Sequence, residues 1–301
     1  QRFASCGVEI AKSFDCVNYL AFGCEVNNIN LLKTAADALD DVNVKKIIAE
    51  SMKNGDYYPR ALENAVNTVF GNDVSQVLSQ PNNILAAEYL RALNKSGISP
   101  LPIKRTGVEH DSSSANKNIA SASLIRQLMR NGDDVSNLVP NLVSKITYPE
   151  HLERAAIVKL RSMSKKDFAK LPDVNEGLEN RIFDSVHKYN SVEEIIFAIK
   201  TKRYTHARLR RIITCALLGI TEELQQIPCK YARILGFSNE GEKLLKTCRF
   251  EIVTSPAKYL RKKDNDIRLF EKDILASDIA AASYDDISSC GADFHTQIIK
   301  I

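Results

Sequence analysis

Two short β-rich apolar runs constrain the fold of this chain more than any other feature of it. The first, Cys16-Val17-Asn18-Tyr19-Leu20-Ala21-Phe22, stops at Gly23; the second, Ile98 to Lys104, stops just before Arg105. The first reads as a buried strand and the second as another strand. Between them, helical periodicity covers roughly 29 to 41, 43 to 54 and 59 to 70, punctuated by Gly55, Pro59 and Gly71. Pro81-Asn82-Asn83 then opens a helix that runs to about Lys95, with Ile84, Leu85, Leu90 and Leu93 among its apolar positions. In an open α/β sheet the ligand sits at the carboxyl ends of the strands. Gly23 and Arg105 both fall on that edge. A glycine there lets a ligand approach the backbone closely, or simply turns the chain. Asn82 can cap its helix, or can donate and accept toward a purine edge or a ribose. Ahead of the first strand, Gln1 to Phe14 has helical spacing without a methionine start or an obvious cap.

Beyond the second strand, Arg105 to Asn118 is a polar loop with His110, Asp111 and Ser112-Ser113-Ser114, suited either to a lid or to plain solvation. Ile119-Ala120-Ser121-Ala122-Ser123-Leu124-Ile125-Arg126 follows and feeds a helix. Ser121 or Ser123 caps it, Leu124, Ile125, Leu128 and Met129 give it one apolar face, and Gly132 stops it. A helix entered through hydroxyl residues, with Arg126 in its first turn, offers N–H groups and a positive dipole end to an anion such as phosphate.

With 301 residues, 44% of them hydrophobic, the chain is long enough for two domains. No apolar run approaches the roughly 20 residues that span a bilayer, and Gln1-Arg2-Phe3-Ala4 does not begin a signal peptide. A soluble, cytoplasmic protein without membrane contact is expected. The seven cysteines form no Cys-x-x-Cys pair and the five histidines are scattered. Reduced, mostly buried thiols are expected, and no metal site.

The second half changes character. Little strand signal appears after Val135 until Arg249-Phe250-Glu251-Ile252-Val253; the rest has helical periodicity. Residues 1 to 135 carry 14 Lys/Arg against 15 Asp/Glu, residues 136 to 263 carry 24 against 14, and residues 264 to 301 carry 3 against 8. A basic block thus lies between a neutral α/β part and an acidic tail. Its densest stretch, Lys200 to Arg211, holds Lys200, Lys202, Arg203, Arg208, Arg210 and Arg211, with no acid between Glu194 and Glu222. Thr205 caps a helix in which Leu209, Ile212, Ile213 and Ala216 face inward while Arg208 and Arg211 share an outer face. Uniform positive charge over a loop and a helix face favours a polyanion, because phosphate contacts accumulate. Tyr204 and His206 suit stacking on an exposed base, and packing suits Tyr204 equally.

Taken in order and spacing, Pro81 to Leu85, Ile103-Lys104-Arg105-Thr106-Gly107, Ile119 to Arg126, Glu176-Gly177-Leu178-Glu179-Asn180-Arg181-Ile182 and Lys200 to Thr205 resemble the bacterial tRNA(Met) cytidine acetate ligase family. The resemblance runs from the first residue to at least Phe237, with a looser tail. It implies an α/β plus α fold: a partial Rossmann-like, HUP-type nucleotidyltransferase parallel sheet in residues 1–135, followed by a mainly helical, basic tRNA-binding domain in 136–301. It further implies an ATP-dependent ligase that makes acetyl-adenylate from acetate and ATP, with Mg²⁺ bridging the phosphates. Acetyl then passes to N4 of the wobble cytidine of elongator tRNA(Met), with no stable protein partner. Carried over residue by residue, ATP contacts fall on Gly23, Asn82 with Asn83 beside it, and Arg105. Phosphate contacts fall on Ser121, Ser123 and Arg126, in a segment similar to the family's Ile-Ser-x-x-x-Ile-Arg signature. Lys200, Lys202, Arg203, Arg208 and Arg211 would face tRNA.

One departure bears on the chemistry. The family's Asn-Pro-Phe-His-x-Gly-His signature lies before the point where this chain begins, and no His-x-Gly-His or His-x-x-His occurs in it. The resemblance therefore implies a truncated copy whose catalytic residues are unknown, with the sheet's first strands absent and an apolar sheet face left exposed. Two other readings remain open at this level: another adenylyl-transferring enzyme of the superfamily, and a non-catalytic tRNA-binding protein.

Overall fold

The computed structural model of the chain describes residues 2–105, 119–139, 145–262 and 266–301. Helix α1 (Arg2–Ser13) leads through a turn at Phe14 to Cys16 into β1 (Tyr19–Cys24), so the first strand starts three residues later than its apolar run. Five helices follow: α2 (Ile29–Asp40), α3 (Val42–Lys53), α4 (Tyr58–Phe70), α5 (Asn72–Val77) and α6 (Pro81–Leu93). Asp41 ends α2 and caps α3, its carboxylate accepting from the N–H groups of Asn43 and Val44 at 2.8 and 3.0 Å. The chain returns as β2 (Ser99–Lys104), which pairs in parallel with β1, Tyr19 opposite Ser99 and Cys24 opposite Lys104. A parallel pair needs a crossover, which the helices supply. The two carboxyl ends therefore lie side by side.

Phe22 and Cys24 turn into the helices, where Leu32, Val44, Leu62, Val66 and Leu90 complete a first core. The other face of the strand pair is open, with Tyr19, Leu101 and Ile103 exposed. A two-residue repeat divides the apolar run between the two faces, so β1 is half-buried where its composition suggests full burial.

After α7 (Ala122–Asn131), a second core forms from α8 (Glu153–Arg161), α9 (Lys165–Ala169), α10 (Leu178–Lys188), α11 (Val192–Ile199) and α12 (His206–Leu218). Leu160, Phe168, Ile182, Ile196 and Leu209 lie at its centre. Its helices start on sequence-encoded caps: reciprocal capping boxes at Ser164 with Asp167 and at Ser191 with Glu194, and Thr205 ahead of α12.

The remaining chain forms α13 (Glu222–Gln226), β3 (Tyr231–Arg233), β4 (Gly236–Phe237), α14 (Asn239–Leu245), β5 (Glu251–Val253), α15 (Pro256–Leu260), α16 (Arg268–Ala281), α17 (Ala292–His295) and β6 (Ile299–Lys300). β3 pairs with β5 and β4 with β6, both in parallel. Tyr231, Tyr259 and Phe270 centre a third core, with ring centroids 4.8 Å apart between Tyr259 and Phe270. Part of the acidic tail is engaged internally: Asp273 accepts from the Tyr231 hydroxyl, Asp293 pairs with Arg233, and Asp278 accepts from Gly291 N–H at 2.6 Å. α1 is fastened to this region as well. Arg249 N–H donates to Ser13 O at 2.8 Å, the Arg249 guanidinium reaches Lys12 O, and Arg2 reaches Ile227 O.

Among the described residues no helix is long and apolar enough to cross a membrane, and no three His, Cys, Asp or Glu converge on a metal position. Cys24 and Cys215 are buried while Cys16 and Cys290 are exposed, a more even spread than the expected mostly buried set.

Candidate nucleotide and RNA site

β1 runs out through Gly23-Cys24-Glu25, and α6 begins at Pro81 with Gln80 as its N-cap. Asn82 and Asn83 therefore lie inside the first turn, and Asn82 does not cap the helix. Helical phase gives the two amides different tasks. Asn83 is fully buried, and its Oδ1 accepts from the N–H groups of Glu25 at 2.8 Å and Val26 at 3.2 Å. It braces the turn that leaves the strand. Asn82 donates to Glu25 Oε1, from its backbone at 3.3 Å and from Nδ2 at 2.6 Å. Glu25 thus ties the end of β1 to the head of α6. No sequence motif points to Glu25; the available signal is an acid two residues beyond a strand-end glycine.

The far side of this cluster is unfinished. Glu25 Oε2 and Asn83 Nδ2 are buried without hydrogen-bond partners. An orphaned acceptor or donor costs roughly 1–3 kcal/mol, and a ligand presenting one donor and one acceptor would relieve both. Gly23 is exposed, and a methyl group there would meet only Arg105 Cγ, at 3.7 Å. The protein itself does not require a glycine at this point. Its bareness keeps the outer approach to the backbone open. Arg105 follows β2 directly, its N–H donating to Cys24 O at 2.8 Å, which places a cation beside Gly23. Burial and the neighbouring Glu25 push the Cys24 thiol up, so it is an apolar filler beneath the cluster and not a nucleophile.

Ser121 caps α7 by accepting from Leu124 N–H at 3.1 Å, and left-handed Gly132, φ 82°, ends it. Arg126 is exposed in the second turn, its Nη2 directed at Ser123 Oγ at 3.5 Å. The structure thus gathers Gly23, Asn82, Asn83 and Arg105 at the strand ends, and Ser121, Ser123 and Arg126 at the head of α7. Thr106, Gly107, His110, Asp111 and Ser112 to Ser114, including the loop proposed as a lid, lie outside the described residues.

The basic segment looks different in space than along the chain. Arg203 forms a two-point pair with Glu176 at 2.9 and 2.7 Å. Arg211 does the same with Asp173 Oδ2 at 3.1 and 2.7 Å, and Arg208 donates to Asp173 O at 2.6 Å and Asn175 Oδ1 at 3.1 Å. Glu193 takes Arg210 at 2.5 Å and His206 at 2.9 Å, and these hydrogen bonds hold its carboxyl below the usual range. The acids missing locally come from α11 and from the loop after α9, where Asp173 and Glu176 adopt left-handed φ of 63° and 56°. Tyr204 is 5% exposed, packed in the second core with Arg208 and Arg181 guanidinium carbons 5.1 and 5.8 Å from its ring centre. Packing, and not base stacking, is its role. Lys200 and Lys202 are exposed and form no ion pair among the described residues.

Comparison with known proteins fits this geometry. The HIGH nucleotidyl transferase family profile matches residues 1–292. The tRNA(Met) cytidine acetate ligase of Thermoanaerobacter sp. (strain X514) is 32% identical over 323 residues, spanning 100% of this chain and 80% of that protein. The protein of the same name from Acetivibrio thermocellus is 31% identical over 334 residues, spanning 99% and 80%. Among solved structures, apo Thermotoga maritima TmcAL, form I, superposes with a TM-score of 0.88 at 25% identity, covering 99% of this chain and 80% of that one. The same protein bound with alpha-thio ATP superposes with a TM-score of 0.86 at 24% identity and the same coverage, and so shares the fold. The α/β plus helical architecture expected from the motifs is that of these proteins, and the chain belongs to the HIGH nucleotidyl transferase family, in its tRNA(Met) cytidine acetate ligase branch.

Proposed function

We propose that this chain is an ATP-dependent tRNA(Met) cytidine acetate ligase of the cytoplasm. A carboxylate oxygen of acetate attacks the α-phosphorus of ATP, pyrophosphate leaves, and acetyl-adenylate forms. The N4 amine of the wobble cytidine of elongator tRNA(Met) then attacks the acetyl carbon, AMP leaves, and N4 loses a proton. The observation that carries this reading is the strand-end cluster, in which Glu25, Asn82 and Asn83 tie β1 to α6 and leave one buried acceptor and one buried donor unpaired beside Gly23 and Arg105. That edge is where an α/β sheet takes a nucleotide.

In this reading residues 1–135 bind ATP and residues 136–301 bind tRNA. Gly23 leaves room for the nucleotide, Asn82 and Asn83 set the shape of its seat through Glu25, and Arg105 faces its phosphates. Ser121, Ser123 and Arg126 add a second phosphate contact at the positive end of α7. Mg²⁺ would be held chiefly by phosphate oxygens, which leaves it few protein ligands to need. Of the basic segment, Lys200 and Lys202 are the charges left for RNA, with Arg203, Arg208 and Arg211 engaged by the protein.

The test is transfer of labelled acetate into an elongator tRNA(Met) transcript with ATP and Mg²⁺, run on the 301 residues and on the product of the whole reading frame that encodes them. Acetylcytidine at the wobble position is the expected product. ATP consumption that needs no tRNA would point to a different adenylyl transfer, and salt-sensitive tRNA binding without nucleotide binding would point to a non-catalytic binder.

A further inference from the structure

Two helix N-termini open onto one cleft. α4 starts after Tyr57, whose side chain makes no capping bond, and α12 starts after Thr205. Between them lies a cavity of about 520 Å³, lined among others by Tyr57, Arg60, Lys200, Lys202, Thr205 and His206. It joins a helix of the first core to the segment that enters the last helix of the second. Among the described residues no carboxylate lines it.

Its charge is only partly compensated: His206 is held by Glu193 at 2.9 Å, while the other cations are less engaged than those of the rest of the basic segment. Arg60 reaches an acid only at 3.9 Å, to Asp56, and Lys200 and Lys202 form no ion pair among the described residues. The first N–H groups of a helix lack partners within it, and both dipoles add positive potential at this point. Thr205 caps only one of those groups, Arg208 N–H, at 3.4 Å. Three cations and two helix ends facing one open space favour an anion strongly, and the cleft is wide enough for a phosphate with the sugars on either side of it. Nucleotide phosphates already have a different place at Arg105 and α7.

We infer that this cleft seats a backbone phosphate of the RNA substrate, gripped by Arg60 from the α4 side and by Lys200 and Lys202 from the α12 side. The inference rests on the tRNA reading above and adds a residue, Arg60, that lies far from the basic segment in sequence. A phosphate held by both cores fixes the RNA relative to the strand-end cluster, which a patch on one core alone does not.

The experiment measures tRNA affinity over a range of KCl for the parent chain, Arg60→Ala, the pair Lys200→Ala and Lys202→Ala, and all three together, with Lys46→Ala on α3 as an exposed control. ATP affinity is measured on the same proteins. Arg60→Ala and the lysine pair should each weaken tRNA binding about tenfold and lower the salt slope by about 0.7–1. Their combination should lose less than the product of the two, because both grip one phosphate. The control should stay within about twofold, as an isolated surface charge does, and ATP affinity should not move. Because Arg60 is exposed, its loss leaves the fold intact, which a thermal melt checks. If the parent binds tRNA and Arg60→Ala binds equally well, the cleft is wrong while the tRNA reading stands. If Arg60→Ala weakens ATP in place of tRNA, the cleft holds a nucleotide phosphate and the inference is overturned. A parent that does not bind tRNA at any salt defeats the tRNA reading itself, and the inference with it.

Discussion

Replacing Asn83 with alanine tests the brace at the candidate nucleotide site. The substitution strips the acceptor from two half-buried N–H groups, those of Glu25 and Val26, which lie 2.8 and 3.2 Å from Oδ1 of the fully buried Asn83. Each orphaned donor costs roughly 1–3 kcal/mol. Against that, Asn83 Nδ2 has no partner, and deleting it recovers on the order of 1 kcal/mol of desolvation penalty. The expected net loss is about 1–5 kcal/mol, a large share of the roughly 5–15 kcal/mol that holds a domain together. In urea this moves the midpoint by on the order of 1 M. The chain has no Trp, so far-UV circular dichroism and tyrosine emission are the probes. Hydrogen exchange at the Glu25 and Val26 amides gives the local readout, and ATP affinity the functional one. Asn83→Asp keeps an oxygen facing both N–H groups and should restore their protection. If Asn83→Ala lies within about 0.5 kcal/mol of the parent and the two amides exchange no faster, Asn83 is not the brace and the ranking of this cluster above its surroundings is wrong.

Gly23→Val should leave stability within about 1 kcal/mol, since valine suits a strand and only Arg105 Cγ stands near the new side chain, yet it should abolish ATP binding by calorimetry; retained binding would place the nucleotide elsewhere. Arg105→Ala and Arg126→Ala should each weaken ATP about tenfold or more, as loss of a charged hydrogen bond to phosphate does, with tRNA affinity held. Lys202→Ala should weaken tRNA more than Arg203→Ala, because Glu176 already neutralises Arg203; equal or reversed losses would contradict that division. The Arg91 hydrogen bond holds the Asp40 carboxyl at a pKa of about 2. A depressed carboxyl stabilises the fold above its unfolded pKa of about 3.9 and loses that contribution as pH falls toward the folded value. Asp40 is half-exposed, so the pair contributes only about 0.5–1 kcal/mol. The stability gap between the parent and Asp40→Asn should therefore close between about pH 4 and pH 2.

The strand-end half of the site was legible because it is written in order along the chain. A run that stops at Gly23, a Pro-Asn-Asn helix start and a run that stops before Arg105 each announce an element boundary, and parallel pairing brings those boundaries together. What Asn83 does was hidden, since its partners lie 58 and 57 residues away. The same distance problem misled the charge count. Lys200 to Arg211 has no local acid, yet Asp173, Glu176 and Glu193 reach it through the packing of α10, α11 and α12, and the open charge shrinks to Lys200 and Lys202. Tyr204 sits between Arg208, four residues on, and Arg181, which does lie outside any local window. β3, β4 and β6 are two or three residues long, too short to show alternation; their register depends on partners as distant as Gly236 and Ile299.

The fastening of α1 to the far end of the chain sets the order in which the molecule can be completed. Ser13 O waits for the N–H of Arg249, and Arg2 waits for Ile227 O. At ribosomal rates of about 5–20 residues per second, that interval is on the order of 10–50 s. Once α6 has emerged, the apolar side of α1 can pack on it while its other anchors do not yet exist. β1 faces a shorter version of the same delay, because β2, its strand neighbour among the described residues, emerges after five helices. A nascent chain that stalls before Arg105 has no nucleotide edge, and one that stalls before Arg249 leaves its first helix half-seated. Capture of ATP on the ribosome would therefore time the arrival of the second strand, and protease resistance of the first dozen residues would time the arrival of the last third.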